Sequence, residues 1–470
     1  MIFLGYLLCV AYVFFLIYLV GPLVGRVSNL ETSRKTIHTM LFFVWVLIDL
    51  FFKDTIHQVI LPIIFIVLNT LSYKFKLYKS VERDDEKDLG TIFFAVAITI
   101  ILGLAYLYPV LYIPSGIAVF CLTFGDGFAA LIGFNFKSRK IKDKKSALGF
   151  AACFVFSVLS LLVFCAIWEV PLGFVPVLVI SAFAAILELA GKGMDNFTVS
   201  LGTFLISYCL LAYGSRALTV SLVLALVVFF IVFFAKAIDY AGSVMAIVIV
   251  FSFAYFGKTV GIVYLLLAYF TIFAISVLKK RHTGKQTGAS RGVLQILING
   301  ACGTFFVILY GITKNTEYLV LSIGAIGGCF VDSVSSDVGA FSCGDAYDPI
   351  RRRRVCKGLS GGISWLGCAA SLVASVAIAA YTFFFVQSQM CAALVVFAMC
   401  LLQTILDTVL GSTVQVKYAC PVCGTTVEEK HHCDAPTAPC SGVRWIDNNM
   451  VNAMSSVAIS LIGWLLFTAV

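Results

Sequence analysis

Asp126 stands between two glycines at the end of an apolar stretch, and a strongly basic loop follows it. Residues 136–149 read FKSRKIKDKKSALG, with six basic residues against one acid. A carboxylate at the end of a membrane helix is costly and usually functional, and a helix N-terminus beside Lys and Arg binds phosphate. We therefore predict Mg²⁺ on Asp126. A polyphosphate would be held by Lys137, Arg139, Lys140, Lys145, Ser146 and Gly149. A plain helix cap followed by an orienting loop is the alternative.

Further polar residues of the first half could complete this site. They are Arg34, Lys35, His38, Glu188, Asp195 and Asn196. We expect His38 or Asp195 to accept a hydroxyl proton, and the other four to contact nucleotide or phosphate. His38 could equally cap a helix, and Glu188 could pair structurally with Lys192.

The second half has its own carboxylates, Asp332 and Asp337, near the end of an apolar stretch. Two carboxylates suit Mg²⁺, which prefers oxygen ligands. Basic, serine and glycine residues around them predict phosphate binding, and polar residues late in this half could join the site. These candidates are Lys280, Arg281, Arg354, Lys357, Ser360, Gly361, Asp407, Asn448 and Asn449. The run Arg351–Arg354 could instead orient the chain or bind anionic lipid.

The two halves resemble each other in plan. Each has an Asp at a helix end, a basic loop and a Ser/Gly helix start. Asp126 precedes Ser146 by 20 residues, and Asp337 precedes Ser360 by 23. A duplication is consistent with this order.

Four of the 16 cysteines share one polar loop, 415–449. They are Cys420, Cys423, Cys433 and Cys440. Cys-Pro-x-Cys-Gly is a common metal-binding turn, and four thiolates suit Zn²⁺. The sequence predicts a structural zinc site, with free thiols or a disulfide as the alternatives.

The elements that position these residues must be membrane helices. Hydrophobic residues make up 61% of the 470-residue chain and charged residues only 12%, with a mean hydropathy of +1.02. This excludes a soluble globular protein and predicts an all-α polytopic membrane protein of about sixteen transmembrane helices.

The net charge of +9 is concentrated between apolar stretches, which indicates an orienting role rather than nucleic-acid binding. The predicted spans are 2–25, 37–52, 55–73, 90–108, 111–133, 149–169, 171–190, 199–214, 217–234, 240–256, 259–278, 294–313, 318–334, 361–386, 390–410 and 450–469.

Eight predicted spans precede residue 215 and eight follow it. We therefore expect two parallel halves, 1–214 and 215–470. With this count, nearly every basic cluster falls on one side of the membrane. The positive-inside rule places that side, with the active-site loops, in the cytoplasm.

The order of motifs in the first half resembles the CTP-dependent polyprenol kinase family over roughly residues 30–210. The matching residues are Arg-Lys-x-x-His at 34–38, Gly-Asp-x-x-Ala-x-x-x-Gly at 125–133, Lys-x-Ser-x-x-Gly ending at 149, and a later Glu and Asp-Asn. The family usually has Lys-Thr-x-Glu-Gly, whereas this chain has Leu148 in place of the acid. The resemblance implies a prenyl-alcohol substrate and CTP as phosphoryl donor.

The second half resembles, over about residues 235–460, the membrane family that contains the plant phytyl-phosphate kinase. Asp332 and Asp337 stand in its acidic motif, and Lys357-Gly-Leu-Ser-Gly-Gly is close to its Gly-Thr-Ser-Gly-Gly. The two resemblances together imply a bifunctional isoprenoid salvage kinase that acts on a membrane-resident prenyl alcohol and then on its prenyl phosphate. A CTP-dependent cytidylyltransferase acting on a lipid phosphate and a transporter are the alternatives.

Overall fold

The computed structural model describes residues 2–75, 90–142, 145–190, 195–234, 238–283, 292–356 and 358–469. It is 78% helical and has no large sheet, which confirms the predicted all-α polytopic membrane fold. Thirteen helices of the described part are long and apolar enough to span a membrane. Three shorter apolar helices, His57–Ser72, Phe174–Ala190 and Tyr240–Tyr255, correspond to other predicted spans. The predicted count of sixteen is therefore not confirmed.

The chain divides into two compact units, Met1–Val220 and Ser221–Val470. The helices of unit 1 are α1 Ile2–Phe15, α2 Gly21–Val27, α3 Leu30–Met40, α4 Phe42–Phe52, α5 His57–Phe75, α6 Gly90–Leu107, α7 Tyr112–Phe120, α8 Gly127–Asn135, α9 Ala147–Ile167, α10 Phe174–Ala190 and α11 Asp195–Ala212. A π-helical segment, Cys121–Asp126, joins α7 to α8, and a short hairpin of β1 Lys140–Lys142 and β2 Lys145–Ser146 leads into α9. Helix α12, Arg216–Phe234, crosses the unit boundary.

Unit 2 contains the remaining helices and most of the strands. Its helices are α13 Tyr240–Tyr255, α14 Lys258–Thr283, α15 Val293–Thr313, α16 Thr316–Gly339, α17 Trp365–Phe385, α18 Met390–Thr413 and α19 Asn448–Ala469. Its strands are β3 Ala346–Asp348, β4 Arg353–Val355, β5 Lys417–Ala419, β6 Thr426–Val427, β7 His431–His432, β8 Ala435–Pro436 and β9 Ala438–Ser441. They form two two-stranded sheets, β3-β4 and β7-β8, and one three-stranded sheet in the order β6-β5-β9.

The two units repeat one packing order. In unit 1, α9, α10 and α11 pack against one another in sequence and against the helix Pro109–Asn135. In unit 2, α17, α18 and α19 do the same around α16, whose side chains are mostly buried. The preceding helix, α6 or α15, packs on α11 or α19 respectively. The shared packing order supports the internal repeat that the similar order of motifs in the two halves suggested.

Close glycine contacts fix the crossing of the central helix with the next helix in both units. In unit 1, a Cβ on Gly149 would lie 2.9 Å from the Ala129 carbonyl oxygen and 3.4 Å from the Gly133 Cα. In unit 2, a Cβ on Gly367 would lie 2.9 Å from the Ser335 carbonyl oxygen. Helices in a membrane associate by van der Waals packing, so small residues at the crossing allow close approach.

These contacts also align the two units residue by residue. Asp126 lies seven residues before Gly133, and Asp332 lies seven before Gly339. A Cβ on Gly133 or Gly339 would lie 2.9 Å from the hydroxyl of Ser146 or Ser364. The counterpart of Asp126 is therefore Asp332.

We predict that Gly149→Ala destabilises the protein by about 1–3 kcal/mol, because its new methyl group would overlap a backbone carbonyl that cannot move away alone. Gly103→Ala is the matched control, since a Cβ at this position of α6 meets only the Val59 Cγ1 at 3.9 Å. Thermal unfolding of the purified variants in detergent measures the difference. Equal unfolding temperatures for the two variants would contradict the proposed crossing contact.

Candidate functional site

Three carboxylates meet in unit 1. Asp126 ends the π-helical segment and is 1% exposed, Glu188 lies near the end of α10, and Asp195 begins α11. One carboxylate oxygen from each lies within 4.8 Å of the others. Since π-helical turns are frequent at functional sites and oxygen ligands suit Mg²⁺, the three carboxylates fit a divalent cation. Of these three residues, only Asp126 was predicted from the sequence to bind the metal.

Two lysines neutralise these carboxylates, and a histidine lies beside one of them. Lys35 Nζ lies 2.6 Å from Asp126 Oδ2, and His38 Nε2 lies 3.3 Å from the same oxygen. Lys145 pairs with Glu188 and lies 2.8 Å from Asp195 Oδ2. Burial by itself lowers the pKa of Lys145, but Glu188 and Asp195 outweigh this, so its pKa lies above its ordinary value. Paired charges lower the cost of burial, so the cluster is held together by alternating charge.

Local structure explains how Lys145 reaches the cluster. Ser146 has an extended backbone and caps α9, since its hydroxyl accepts a hydrogen bond from the Gly149 N–H at 3.1 Å. Lys145 precedes this cap on β2, where it is paired with Lys142 of β1. The predicted Ser/Gly helix start is therefore present, and it serves to position the lysine. Gly149 itself lies in the helix crossing described above.

An apolar cavity of unit 1 reaches the same residues. It contains about 1100 Å³ of space, part of it open to the surroundings. Most of its lining is apolar, including Trp45, Phe65, Phe94 and Ile98. Its polar side chains are Arg34, Lys35, His38, Asn69, Thr91 and Asn196. Lys35 and His38 also contact Asp126, so the cavity borders two residues of the carboxylate cluster's surroundings.

The other predicted residues of unit 1 lie around these features. Arg34 pairs with Glu31 at 3.1 Å, and the Asn196 amide donates to the Gly90 carbonyl at 2.7 Å. Three predicted phosphate ligands are exposed in and before the hairpin: Lys137, Arg139 and Lys140.

In unit 2 the structure regroups the predicted carboxylates. Asp332 lies close enough to Asp407 for their charges to interact, and Asp407 Oδ2 is buried without a hydrogen-bond partner among the described residues. Asp337 instead accepts from Ser276 at 3.0 Å and from Lys279 at 2.7 Å. Five residues along a helix are about 140° apart around its axis, so Asp332 and Asp337 point in different directions. Asp407, predicted only as a phosphate ligand, is the better partner for Asp332.

Ser360 is not the counterpart of Ser146, as the similar spacing had suggested. Ser364 caps α17 by accepting from the Gly367 N–H at 3.2 Å. The shared spacing, Ser-x-x-Gly at 146–149 and 364–367, is the signal that could have identified this residue. Gly361 has a φ of +86°, and a Cβ there would lie 2.6 Å from the Ser412 backbone nitrogen. The glycine thus allows the loop to pack on the end of α18.

The remaining predicted residues of unit 2 lie in loops and at helix ends. Arg354 is exposed on β4, and Arg281 is exposed near the end of α14. A polar cavity, partly open to the surroundings, is lined by Gln415, Val416, Glu428, Asp447, Asn448 and Asn449. Lys357 and the side chain of Lys280 lie outside the described part of the chain.

Asp348 is a buried residue that the sequence analysis did not select. Its carboxylate accepts from the N–H groups of Ile350 and Arg351 at 3.0 and 2.9 Å, and from the Ser412 hydroxyl at 2.8 and 2.9 Å. Burial alone raises the pKa of Asp348, but the Arg351 N–H, Ser412 and the Ile350 N–H outweigh it and lower the pKa. Asp348 therefore ties the hairpin that carries Arg351–Arg354 to the end of α18.

The cysteine loop also regroups its predicted ligands. Atoms of Cys420, Cys423, His432 and Cys433 lie within 4.8 Å of one another. Cys440 is outside this group, and its Sγ instead lies 3.4 Å from the Lys417 carbonyl oxygen. The structure therefore places Cys440 outside the predicted ligand group, because β9 pairs with β5 and carries it away from the turn at Cys420 and Cys423.

We predict that Asp348→Asn destabilises unit 2 by about 1–3 kcal/mol, because the amide cannot accept all of these hydrogen bonds. Asp345→Asn, at an exposed position of the same loop, is the matched control and should have no effect. Because the pKa of Asp348 is lowered on folding, its stabilisation is complete above its unfolded pKa of about 3.9 and is lost as the pH falls below that value. Thermal unfolding in detergent between pH 7 and pH 3 measures both effects, and equal acid sensitivity of wild type and Asp348→Asn would refute the assignment.

Comparisons with known proteins concern the second half of the chain. Neither the curated proteins nor the solved structures give a match. One family model does match, that of Integral membrane protein DUF92, over residues 223–460. This match covers about half of the chain and nearly all of unit 2. The chain therefore belongs to the integral membrane protein family DUF92.

Proposed function

We propose that the chain is a bifunctional isoprenoid kinase. Unit 1 transfers a phosphoryl group from CTP to a prenyl alcohol such as phytol, geranylgeraniol or farnesol, and unit 2 phosphorylates the resulting monophosphate to the diphosphate. Three features support this proposal: the motifs of both halves, the carboxylate and lysine clusters, and the cavity of unit 1. The alcohol and the prenyl phosphate are membrane-resident substrates.

The apolar cavity is the observation that carries the proposal. A prenyl chain needs a long apolar site, and its hydroxyl needs a polar end next to the nucleotide phosphates. The cavity offers apolar walls such as Phe94 and Ile98, and Lys35 and His38 belong to its polar lining. Because these two residues contact Asp126, an alcohol in the cavity would place its hydroxyl beside the carboxylates.

The carboxylate cluster fits the metal requirement of phosphoryl transfer. Asp126, Glu188 and Asp195 present oxygens within 4.8 Å of one another. Mg²⁺ held by such a cluster would neutralise charge on the β- and γ-phosphates of CTP. Lys35 and Lys145 now pair with these carboxylates, and would turn to the phosphate oxygens when a cation takes their place. The exposed Lys137, Arg139 and Lys140 then supply further phosphate contacts.

His38 is the better placed of the two candidate bases. It lines the cavity and contacts Asp126, whereas Asp195 pairs with Lys145. In the proposed step the alcohol oxygen attacks the γ-phosphorus of CTP, and the bond from that phosphorus to the β-γ bridging oxygen breaks. CDP leaves with the bond electrons, and the hydroxyl proton passes to His38.

Unit 2 offers an equivalent set for the second step. Asp332 and Asp407 form its carboxylate pair, and a cation would bind the buried Asp407 Oδ2, which has no hydrogen-bond partner in the described part of the chain. The second step brings together two anionic substrates, a prenyl phosphate and a nucleotide. The exposed run Arg351–Arg354 supplies the positive charge this requires.

We expect purified protein, incubated with labelled CTP, Mg²⁺ and a panel of prenols, to form CDP together with prenyl mono- and diphosphates. Asp126→Asn should abolish phosphorylation of the alcohol but leave conversion of supplied monophosphate intact. Asp332→Asn should have the opposite effect and stop the pathway at the monophosphate. The step that each variant retains shows that the variant is folded.

Asp49→Asn is a matched control within unit 1. Asp49 accepts from the Trp168 indole at 2.9 Å and does not line the cavity, so both steps should be retained. Pyrophosphate and a CDP-lipid as products would instead identify a cytidylyltransferase. Movement of substrate without any chemical product would identify a transporter. Loss of both steps in folded Asp126→Asn would rule out two separate sites.

We predict that Ala95→Leu changes the preference for chain length. Ala95 lines the cavity and is 3% exposed, so a larger side chain shortens the space left for the prenyl tail. The ratio of kcat/KM for a long prenol to that for a short one should fall by about 10-fold or more, the loss expected for one or more displaced methylenes. The short alcohol is the internal control for folding and for the chemical step. An unchanged ratio would show that the prenyl chain binds elsewhere.

A further inference from the structure

The four grouped side chains of the cysteine loop have the composition of a zinc site. Cys423 Sγ lies 3.5 Å from His432 Nδ1, and Cys433 Sγ lies 3.2 Å from the same nitrogen. In a tetrahedral zinc site, with Zn–S about 2.3 Å and Zn–N about 2.0–2.1 Å, sulfur and nitrogen ligands lie about 3.6 Å apart. Both distances are near this value. Cys420 completes a set of three sulfurs and one nitrogen.

The backbone around these ligands is shaped for a metal. Gly424 has a φ of +68°, and its N–H donates to the Cys420 carbonyl at 2.9 Å. The hairpin β7-β8 turns at Cys433 and Asp434, whose φ values are +52° and +57°. Two-residue hairpin turns of this kind favour Asn and Gly, so a cysteine here is unfavourable unless its side chain is needed. Metal coordination by Cys433 supplies that need.

The cysteine loop is also fastened to the segment at Ser360. Glu428 Oε1 accepts from the Ser360 N–H at 2.5 Å. Lys417, 1% exposed, donates to the Ser360 carbonyl at 2.8 Å. Glu428 lies between the ligand pairs Cys420/Cys423 and His432/Cys433. A metal bound by both pairs would fix the chain on both sides of Glu428 and so hold Glu428 in place.

We infer that Cys420, Cys423, His432 and Cys433 bind one structural zinc ion, and that this ion holds the cysteine loop on the Ser360 segment. Short hairpins such as β7-β8 cannot bury enough apolar surface to fold alone, and metal binding supplies the missing folding energy. The same fold sets Glu428 and Asn448 around the polar cavity of unit 2. Zinc content is a property of the loop and is independent of kinase activity.

Metal analysis of the full-length chain, purified in detergent, tests the ligand set. We expect one zinc ion per chain in the wild type. Cys423→Ser and His432→Ala should lose most of it. Cys440→Ser and His431→Ala are matched controls at neighbouring positions, and both should retain it. Absence of zinc from the wild type, or equal loss in His431→Ala and His432→Ala, would overturn the assignment.

Cobalt substitution provides a test that needs no variant. Wild-type chain loaded with Co²⁺ should show the strong visible bands of a tetrahedral ion and near-ultraviolet thiolate-to-cobalt charge transfer. Weak visible bands without charge transfer would contradict a three-cysteine, one-histidine site. A disulfide would appear as two fewer alkylatable thiols together with no bound metal.

Limited trypsin digestion tests what the zinc ion does. Lys417 is buried against Ser360, whereas Lys430 is exposed in the same loop. Cleavage after Lys417 should be slow in the zinc-loaded chain and should become fast once a chelator has removed the metal. Cleavage after Lys430 is the control for trypsin activity. Continued protection of Lys417 in chain shown to be free of zinc would overturn the proposed structural role.

Discussion

The structure depends on placing carboxylates at helix ends in an apolar protein. An unpaired charge in such surroundings is costly. Most of these carboxylates therefore lie next to a lysine or a histidine. Lys35 and His38 contact Asp126, Lys145 joins Glu188 to Asp195, and Lys279 pairs with Asp337. The Asp332–Asp407 pair differs, because no ion pair to a basic side chain is found for it among the described residues. Under the proposed function, a divalent cation would displace the lysines of the unit 1 cluster and neutralise the charge of the nucleotide phosphates.

The same helix crossing occurs in both units and sets where the carboxylates lie. The central helix and the next helix approach until their backbones touch. The contacts are Gly149 on Ala129 in unit 1 and Gly367 on Ser335 in unit 2. Asp126 and Asp332 lie at the same distance in sequence from this crossing, and each faces an acid from the helix two further along, Glu188 or Asp407. Two units with one plan fit two successive transfers of the same kind of group. What surrounds the shared plan differs: an apolar cavity in unit 1, and a polar cavity with a cysteine loop in unit 2.

These differences match the proposed substrates. An alcohol brings no charge, so its site can consist of apolar walls ending at Lys35 and His38. A prenyl phosphate brings charge, and unit 2 has an exposed arginine hairpin that Asp348 fastens to α18. The cysteine loop adds Glu428, which accepts from the Ser360 N–H, and Lys417, which donates to the Ser360 carbonyl. Zinc would give this polar loop the rigidity that apolar packing gives the helices.

The sequence by itself determined the membrane fold, most of the helices and the residue types of both sites. Apolar runs of about 20 residues predict membrane spans, and acids such as Asp126 and Glu188 are conspicuous within them. It did not determine which residues meet. Asp332 and Asp337 are neighbours in the sequence, but the helical turn separates them, and Asp407 reaches Asp332 from α18. Spacing likewise pointed to Ser360 and Cys440, whereas the cap is Ser364 and the fourth candidate ligand is His432. Partners across helices and turns depend on crossing geometry and strand pairing, which are set by packing between distant segments and are not encoded in local spacing.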